Sequence, residues 1–170
     1  MHNINSTDNQ VKVLFVCLGN ICRSPAAEGI FKKMVADCHL QNDILVDSAG
    51  TSGWHIGNLP DERMRHHGQL RGYNFDSRAR KFVAEDFQNF DYIIVMDDSN
   101  RKNASALAKN EEDLKKIFKM TDFSTPNKFD YDHVPDPYYG DAKGFDLVMD
   151  LLEDACENLL VEIKSKHELD

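Results

Sequence analysis

Apolar residues along the chain fall into short unbroken blocks separated by stretches with helical spacing. Val11-Lys12-Val13-Leu14-Phe15-Val16 is one such block, rich in β-branched residues, and predicts a strand buried on both faces of a parallel sheet. Ile44-Leu45-Val46 and Phe90 to Met96 predict two more strands. After Ser24-Pro25, the residues Ala27, Ile30, Phe31 and Met34 recur on one helical face and predict a helix to about His39. Ser24 as cap, Pro25 at the first position and Glu28 in the first turn mark its start. Pro60-Asp61-Glu62-Arg63 opens a second helix that ends near Gly72, and Asp97-Asp98-Ser99 caps a third running to about Lys109. Gly144 to about Lys164 is a long amphipathic helix carrying Phe145, Val148, Leu151, Leu152, Ala155 and Leu159. Leu114 to Phe123 suits helix or strand equally. Asp47 to Leu59, with three glycines, and Pro126 to Gly140, with three prolines, predict loops. Strands alternating with helices imply an α/β fold with a mostly parallel sheet, whose ligands bind beyond the carboxyl ends of the strands.

Composition narrows the function. At 170 residues the chain is one domain with room for a real core. Twenty Lys and Arg against 29 Asp and Glu give a formal charge of −9, which argues against nucleic-acid and membrane-surface partners. No apolar run has the length of a membrane helix, and Met1 to Gln10 has neither the basic start nor the apolar stretch of a signal peptide. Residues 1–10 read as a flexible extension, residues 11–166 as the domain, and the cytoplasm as the compartment. Four cysteines are too few for a disulfide scaffold.

The turn after the first strand carries the chemistry. Cys17 alone would be a small buried hydrophobe at a strand end. Five residues further comes Arg23, and then a helix begins. A short loop closing onto a helix start gathers backbone N–H groups of Leu18, Gly19, Asn20, Ile21, Cys22, Arg23 and Ser24 around one point, with the helix dipole behind them. Such a nest suits a tetrahedral oxyanion, and the Arg23 fork grips two of its oxygens. Gly19 permits positive φ, and Asn20 tolerates a left-handed conformation. The same field favours thiolate at Cys17, a nucleophile set under a phosphate cradle. A nucleotide-binding loop would need Gly-Lys-Ser/Thr, a dinucleotide fingerprint does not follow Val16, and no cysteine or histidine pair stands at metal spacing. No cofactor and no metal are expected.

The stretch Val16-Cys17-Leu18-Gly19-Asn20-Ile21-Cys22-Arg23-Ser24-Pro25 resembles the active-site loop of the low-molecular-weight protein tyrosine phosphatases. Asp47-Ser48-Ala49-Gly50-Thr51, Val95-Met96-Asp97 and Asp136-Pro137-Tyr138-Tyr139 continue the likeness in the family's order, over roughly residues 11 to 165. The resemblance implies a single domain, a four-stranded twisted sheet with helices on both faces, and hydrolysis of phosphotyrosine and aryl phosphates through a cysteinyl-phosphate. By the same resemblance Asp136, held between Pro135 and Pro137, is the general acid and then the base. Ser24 caps its helix and donates to the Cys17 sulfur, and Asn20 and Ser48 bond each other to hold the loop. Asp97 is a helix cap that can also orient Arg23. Trp54, Tyr138 and Tyr139 wall the substrate ring, or simply pack. Cys22 is a redox partner for Cys17 by resemblance, or inert. Ser77 stands where many relatives carry His packing toward the acid that matches Glu28.

Phosphate-like oxyanions are expected to inhibit, and the chain to be a monomer or weak homodimer. Ile21 favours phosphotyrosine, because arginine phosphatases of this family typically carry Thr there. An arsenate reductase on the same fold would need a cysteine relay, and after Cys38 only Cys156 remains. A non-catalytic phosphate-binding module would show an inactivating change at Cys17, Arg23 or Asp136, and all three are present. His66 and His67, as helix neighbours, point to different faces, and Glu111-Glu112-Asp113 reads as a solvated helix start.

Overall fold

The computed structural model describes residues 9–170. Most of the extension expected over residues 1–10 lies outside the described residues. Strand β1 (Val11–Cys17) is almost entirely buried, as its unbroken apolar run requires. It pairs in parallel with β2 (Ile44–Gly50) along its whole length, Val11 opposite Ile44 and Cys17 opposite Gly50. On its other side it pairs with β3 (Tyr92–Val95), and β3 pairs with β4 (Ile117–Lys119), giving the parallel order β2-β1-β3-β4. The chain leaves β1 toward β2 on one side and places β3 on the other. That reversal opens a crevice at the carboxyl end of β1, next to Cys17.

Alternating residues of the strands feed two separate cores. Val13, Phe15, Tyr92 and Ile94 pack with helix α1 (Arg23–Asp37) and the long α6 (Ala142–Lys166). Leu14, Val16, Ile93 and Val95 pack on the opposite face with Phe82, Phe87 and Ala104. Phe87 lies on α3 (Asp86–Asn89) and Ala104 on α4 (Asp98–Ser105), so helices cover both faces. The remaining helices are α2 (Glu62–Leu70) and the single turn α5 (Glu111–Leu114). None of the helices among the described residues is long and apolar enough to cross a membrane.

Several boundaries differ from those the pattern predicts. The polar stretch Asp47-Ser48-Ala49-Gly50 continues β2 instead of opening a loop, because each residue finds a ladder partner on β1. Helix α1 starts at Arg23, with Cys22 in the cap position and no side-chain cap. Ser24 is therefore not a cap: it is buried in the first turn, where its hydroxyl is held by Asn20 and Cys17. Helix α4 ends at Ser105, four residues short of Lys109. The ambiguous segment 114–123 resolves into the end of α5, the strand β4 and a 3₁₀ turn (Met120–Phe123). Helix α3 has no apolar periodicity long enough to announce it. In α5, Asp113 is buried instead of solvated, accepting from the Lys109 amide, while Asn110 caps the turn. Asp141 caps α6 by accepting from the Gly144 amide.

Candidate active site

The loop of residues 18–22 is pinned to the body by its carbonyls. Thr51 N donates to Cys17 O, Ser52 N to Leu18 O and Asp61 N to Ile21 O, at 2.7 to 2.9 Å. Gly50 makes this close seating possible: a Cβ there would stand 2.8 Å from the Leu18 carbonyl oxygen. With the carbonyls engaged, the N–H groups of Leu18, Gly19, Ile21, Cys22 and Arg23 donate to no protein group among the described residues. These five residues line one pocket together with Cys17, Trp54, His55, Asp136, Tyr138 and Tyr139. Uncommitted amides at the start of a 15-residue helix form the frame of an oxyanion site.

Asn20 holds the loop in shape. Its φ is 56°, in the left-handed region, and its side chain makes three hydrogen bonds. Nδ2 donates to Ser24 Oγ at 2.7 Å and to Ser48 Oγ at 2.9 Å, while Oδ1 accepts from Arg80 N at 3.0 Å. Ser24 Oγ accepts from Asn20, and its own proton faces two acceptors, Cys17 Sγ at 3.0 Å and, more distantly, Ala49 O at 3.4 Å. Asn20 N also donates to that sulfur, at 3.3 Å. Ser48 Oγ donates to buried Glu28, whose other oxygen accepts from Lys32 Nζ. Glu28 is thus satisfied with Ser at position 77. Gly19 does not adopt positive φ; the left-handed residue is Asn20. Gly19 is small for a different reason, since a Cβ would meet the His55 ring at 3.1 Å.

Arg23 is almost wholly buried. Its Nη1 donates to Asp97 Oδ2 at 2.6 Å and to Val134 O at 3.0 Å. Burial works against the charge, but the nearby Cys17 sulfur, Asp97 and Asp136 outweigh it and raise the guanidinium pKa. Asp97 fills both roles open to it: its Oδ1 caps α4 by accepting from Asn100 N at 2.8 Å, while Oδ2 holds Arg23. Asp136 faces the fork, with Oδ2 3.5 Å from Arg23 Nη2 and Oδ1 accepting from Tyr138 N at 3.0 Å. Cysteine sulfur, guanidinium and carboxylate therefore meet in one pocket.

Trp54, Tyr138 and Tyr139 stand at its mouth, with Tyr139 93% exposed. Cys22 is a buried free thiol whose pKa is pushed up strongly, first by burial and then by the negative charge of Asp61 and Cys17. His55 lines the pocket, and Arg80 braces the loop through its amide and holds Asp47 and Asp86 with its guanidinium. Neither stands in a pattern that marks it; only contact with Gly19 and Asn20 reveals them. His67 pairs with Asp146 and stacks on Phe145 instead of meeting His66 at a metal. Among the described residues no group of three His, Cys, Asp or Glu could hold a metal ion.

A parallel α/β protein with a cysteine and arginine in one oxyanion loop belongs among the phosphate-handling enzymes, and comparison with known proteins narrows the class. The model of the family described as low molecular weight phosphotyrosine protein phosphatase matches residues 12–169. The low molecular weight protein-tyrosine-phosphatase YfkJ of Bacillus subtilis is 41% identical over 162 residues, covering 94% of this chain and 99% of the relative. A crystal structure of a protein tyrosine phosphatase from Entamoeba histolytica with Hepes in its active site superposes with a TM-score of 0.88 at 50% identity, covering 92% of this chain and 99% of the other. A Drosophila arginine phosphatase superposes with a TM-score of 0.83 at 34% identity, covering 91% and 98%. The chain belongs to the low molecular weight phosphotyrosine protein phosphatase family and is an enzyme of that class.

Proposed function

We propose that the protein hydrolyses phosphotyrosine monoesters, and aryl phosphates generally, through a cysteinyl-phosphate. One observation carries this reading: the Cys17 sulfur lies in the same pocket as Arg23, Asp136 and the uncommitted loop amides, with Ser24 Oγ at 3.0 Å. The phosphoryl oxygens take the amides and the Arg23 fork. The Cys17 thiolate attacks phosphorus, the bond to the aryl oxygen breaks, and protonated Asp136 gives its proton to that oxygen. Water then attacks phosphorus while Asp136 takes its proton, and the sulfur leaves as a thiolate that Ser24 stabilises. Charge on the phosphoryl group is balanced by the amides and the guanidinium, so the steps need no metal.

The ring specificity follows from Trp54, Tyr138 and Tyr139 around a sulfur deep enough to be reached by a tyrosyl phosphate. Ile21 in the loop supports phosphotyrosine over phosphoarginine, the substrate class named for the Drosophila neighbour. Cys22 serves as the redox partner. When peroxide converts Cys17 to a sulfenic acid, the Cys22 thiol displaces water and forms a disulfide that shields Cys17 from further oxidation. Inorganic phosphate and vanadate compete for the same cradle.

The test is turnover of p-nitrophenyl phosphate and of phosphotyrosine, phosphoarginine and phosphoserine peptides, plus arsenate, with and without EDTA. The expected outcome is hydrolysis of the first two, no effect of EDTA, loss of activity in Cys17→Ser, and a phosphate trapped on Cys17 in a single turnover. A fully active Cys17→Ser protein overturns the reading.

A further inference from the structure

Asp136 sits in a segment with few anchors. From Val134 to Gly140 the polar ties from the rest of the protein are few among the described residues. Val134 is bonded through its amide to Met96 O, Arg23 reaches Val134 O and Asp136, and one further tie reaches Tyr138 O. That further tie is Arg63. Its Nη2 donates to the Tyr138 carbonyl at 2.9 Å, and the amide of the same residue donates to Asp136 Oδ1.

Arg63 is itself fixed from the opposite side. Asp61, the cap of α2, accepts from Arg63 Nε at 3.0 Å, from Nη2 at 2.9 Å and from the Arg63 amide at 2.9 Å. Asp61 is anchored in turn: its amide donates to Ile21 O, a carbonyl of the oxyanion loop, at 2.7 Å. The guanidinium also packs against two rings, 4.9 Å from the centroid of buried Phe145 on α6 and 5.4 Å from that of Tyr138. A continuous line of contacts therefore runs from the phosphate cradle through Asp61 and Arg63 to the backbone that holds the acid.

We infer that Arg63 is a positioning residue for Asp136, the strap that fixes the acid loop at a set distance from the oxyanion loop. This rests on the reading of Asp136 as proton donor. Two features make Arg63 suited to the task. Its planar fork spans a carboxylate and a carbonyl at once, which a lysine point charge cannot do. The ion pair also persists across the working range: burial opposes the Asp61 charge, but the Arg63 hydrogen bonds outweigh it and hold its pKa below the usual 3.8.

A displaced acid leaves the cradle intact but weakens proton delivery. The loss should therefore grow with the basicity of the leaving group and spare oxyanion binding. The experiment measures kcat/KM over a series of aryl phosphates from nitrophenyl to unsubstituted phenyl, and the inhibition constant of inorganic phosphate. It is run on wild type, Arg63→Ala, Arg63→Lys, Asp136→Ala and the double variant Arg63→Ala/Asp136→Ala.

Arg63→Ala is expected to lose about 10- to 100-fold with phenyl phosphate, no more than the roughly 100- to 10,000-fold that a general acid supplies, and much less with the nitrophenyl ester. Phosphate inhibition should stay within about twofold, since the interactions with the cradle remain. In the Asp136→Ala background the Arg63 substitution should have no further leaving-group effect. Arg63→Lys, which keeps the charge, should share the steeper dependence, so the outcome does not hang on the fold of the alanine variant. An unchanged dependence in Arg63→Lys and Arg63→Ala overturns the inference, as does an effect that persists undiminished without Asp136. If Asp136→Ala itself leaves the dependence flat, the acid assignment falls instead, and the two failures are told apart.

Discussion

Asn20 adopts a backbone conformation that costs most residues about 1 kcal/mol or more, and three side-chain hydrogen bonds hold it there. The Arg80 amide occupies Oδ1, so Nδ2 must face the two serines, and the one proton of Ser24 lies between Cys17 Sγ at 3.0 Å and Ala49 O at 3.4 Å. The shorter contact is the one to the sulfur. In the proposed mechanism the effect of Ser24 belongs to the second step, when the sulfur leaves phosphorus with negative charge. Ser24→Ala should lower kcat by about 10- to 100-fold, the worth of a hydrogen bond to a charged group. It should lower kcat/KM less, with a larger burst of nitrophenolate as the intermediate accumulates. Equal losses in both constants, with no larger burst, would place Ser24 in the first step.

At the scale of elements, the loop that leads to Asp136 is fastened to α6 well before it reaches the pocket. Asp154, buried on α6, accepts from Thr125 N at 2.8 Å and Thr125 Oγ1 at 2.6 Å, and pairs with Lys128 at 3.4 Å. Burial opposes its charge, but these partners outweigh it and hold its pKa below the ordinary 3.8. A depressed carboxylate pKa stabilises the fold above the unfolded-state value, and that contribution is lost as pH falls through the lower folded-state value. Asp154→Ala should therefore cost about 1.5–3 kcal/mol at pH 7. The difference from wild type should shrink as pH drops below about 3.8, followed by urea unfolding across pH. A pH-independent difference would mean that packing, not charge, ties the loop to α6. Element boundaries follow the same logic of partners. Residues 47–50 are polar and glycine-containing, yet β1 offers each a ladder partner, and that outweighs local propensity.

For the molecule as a whole, a chain of formal charge −9 still offers the proposed site for a dianion, because five uncommitted amides and one buried guanidinium line one pocket where the sheet order reverses. Filling that site couples chemistry to global stability. Vanadate at about 100 times its dissociation constant should add about 2.7 kcal/mol, which is about 5–10 °C in Tm for a chain of this size. Arg23→Lys, which keeps the charge but loses the fork, should give a smaller shift, read by thermal unfolding with and without vanadate. An undiminished shift would remove Arg23 from the anion site. The sequence by itself determined the alternation of strands and helices, the buried β1, and the loop from Cys17 to Arg23, because periodicity and short-range spacing are local properties of the chain. It also ordered the distant motifs through their likeness to a family. Tertiary structure alone decided that Ser24 stands beside the Cys17 sulfur without capping the helix, that Gly50 lets the loop seat, that Arg80 braces Asn20, and that Arg63 reaches Tyr138. Each of these depends on a partner 7 to 75 positions away. Such a partner leaves no period or spacing in the sequence, since only the packed fold brings the two side chains within reach.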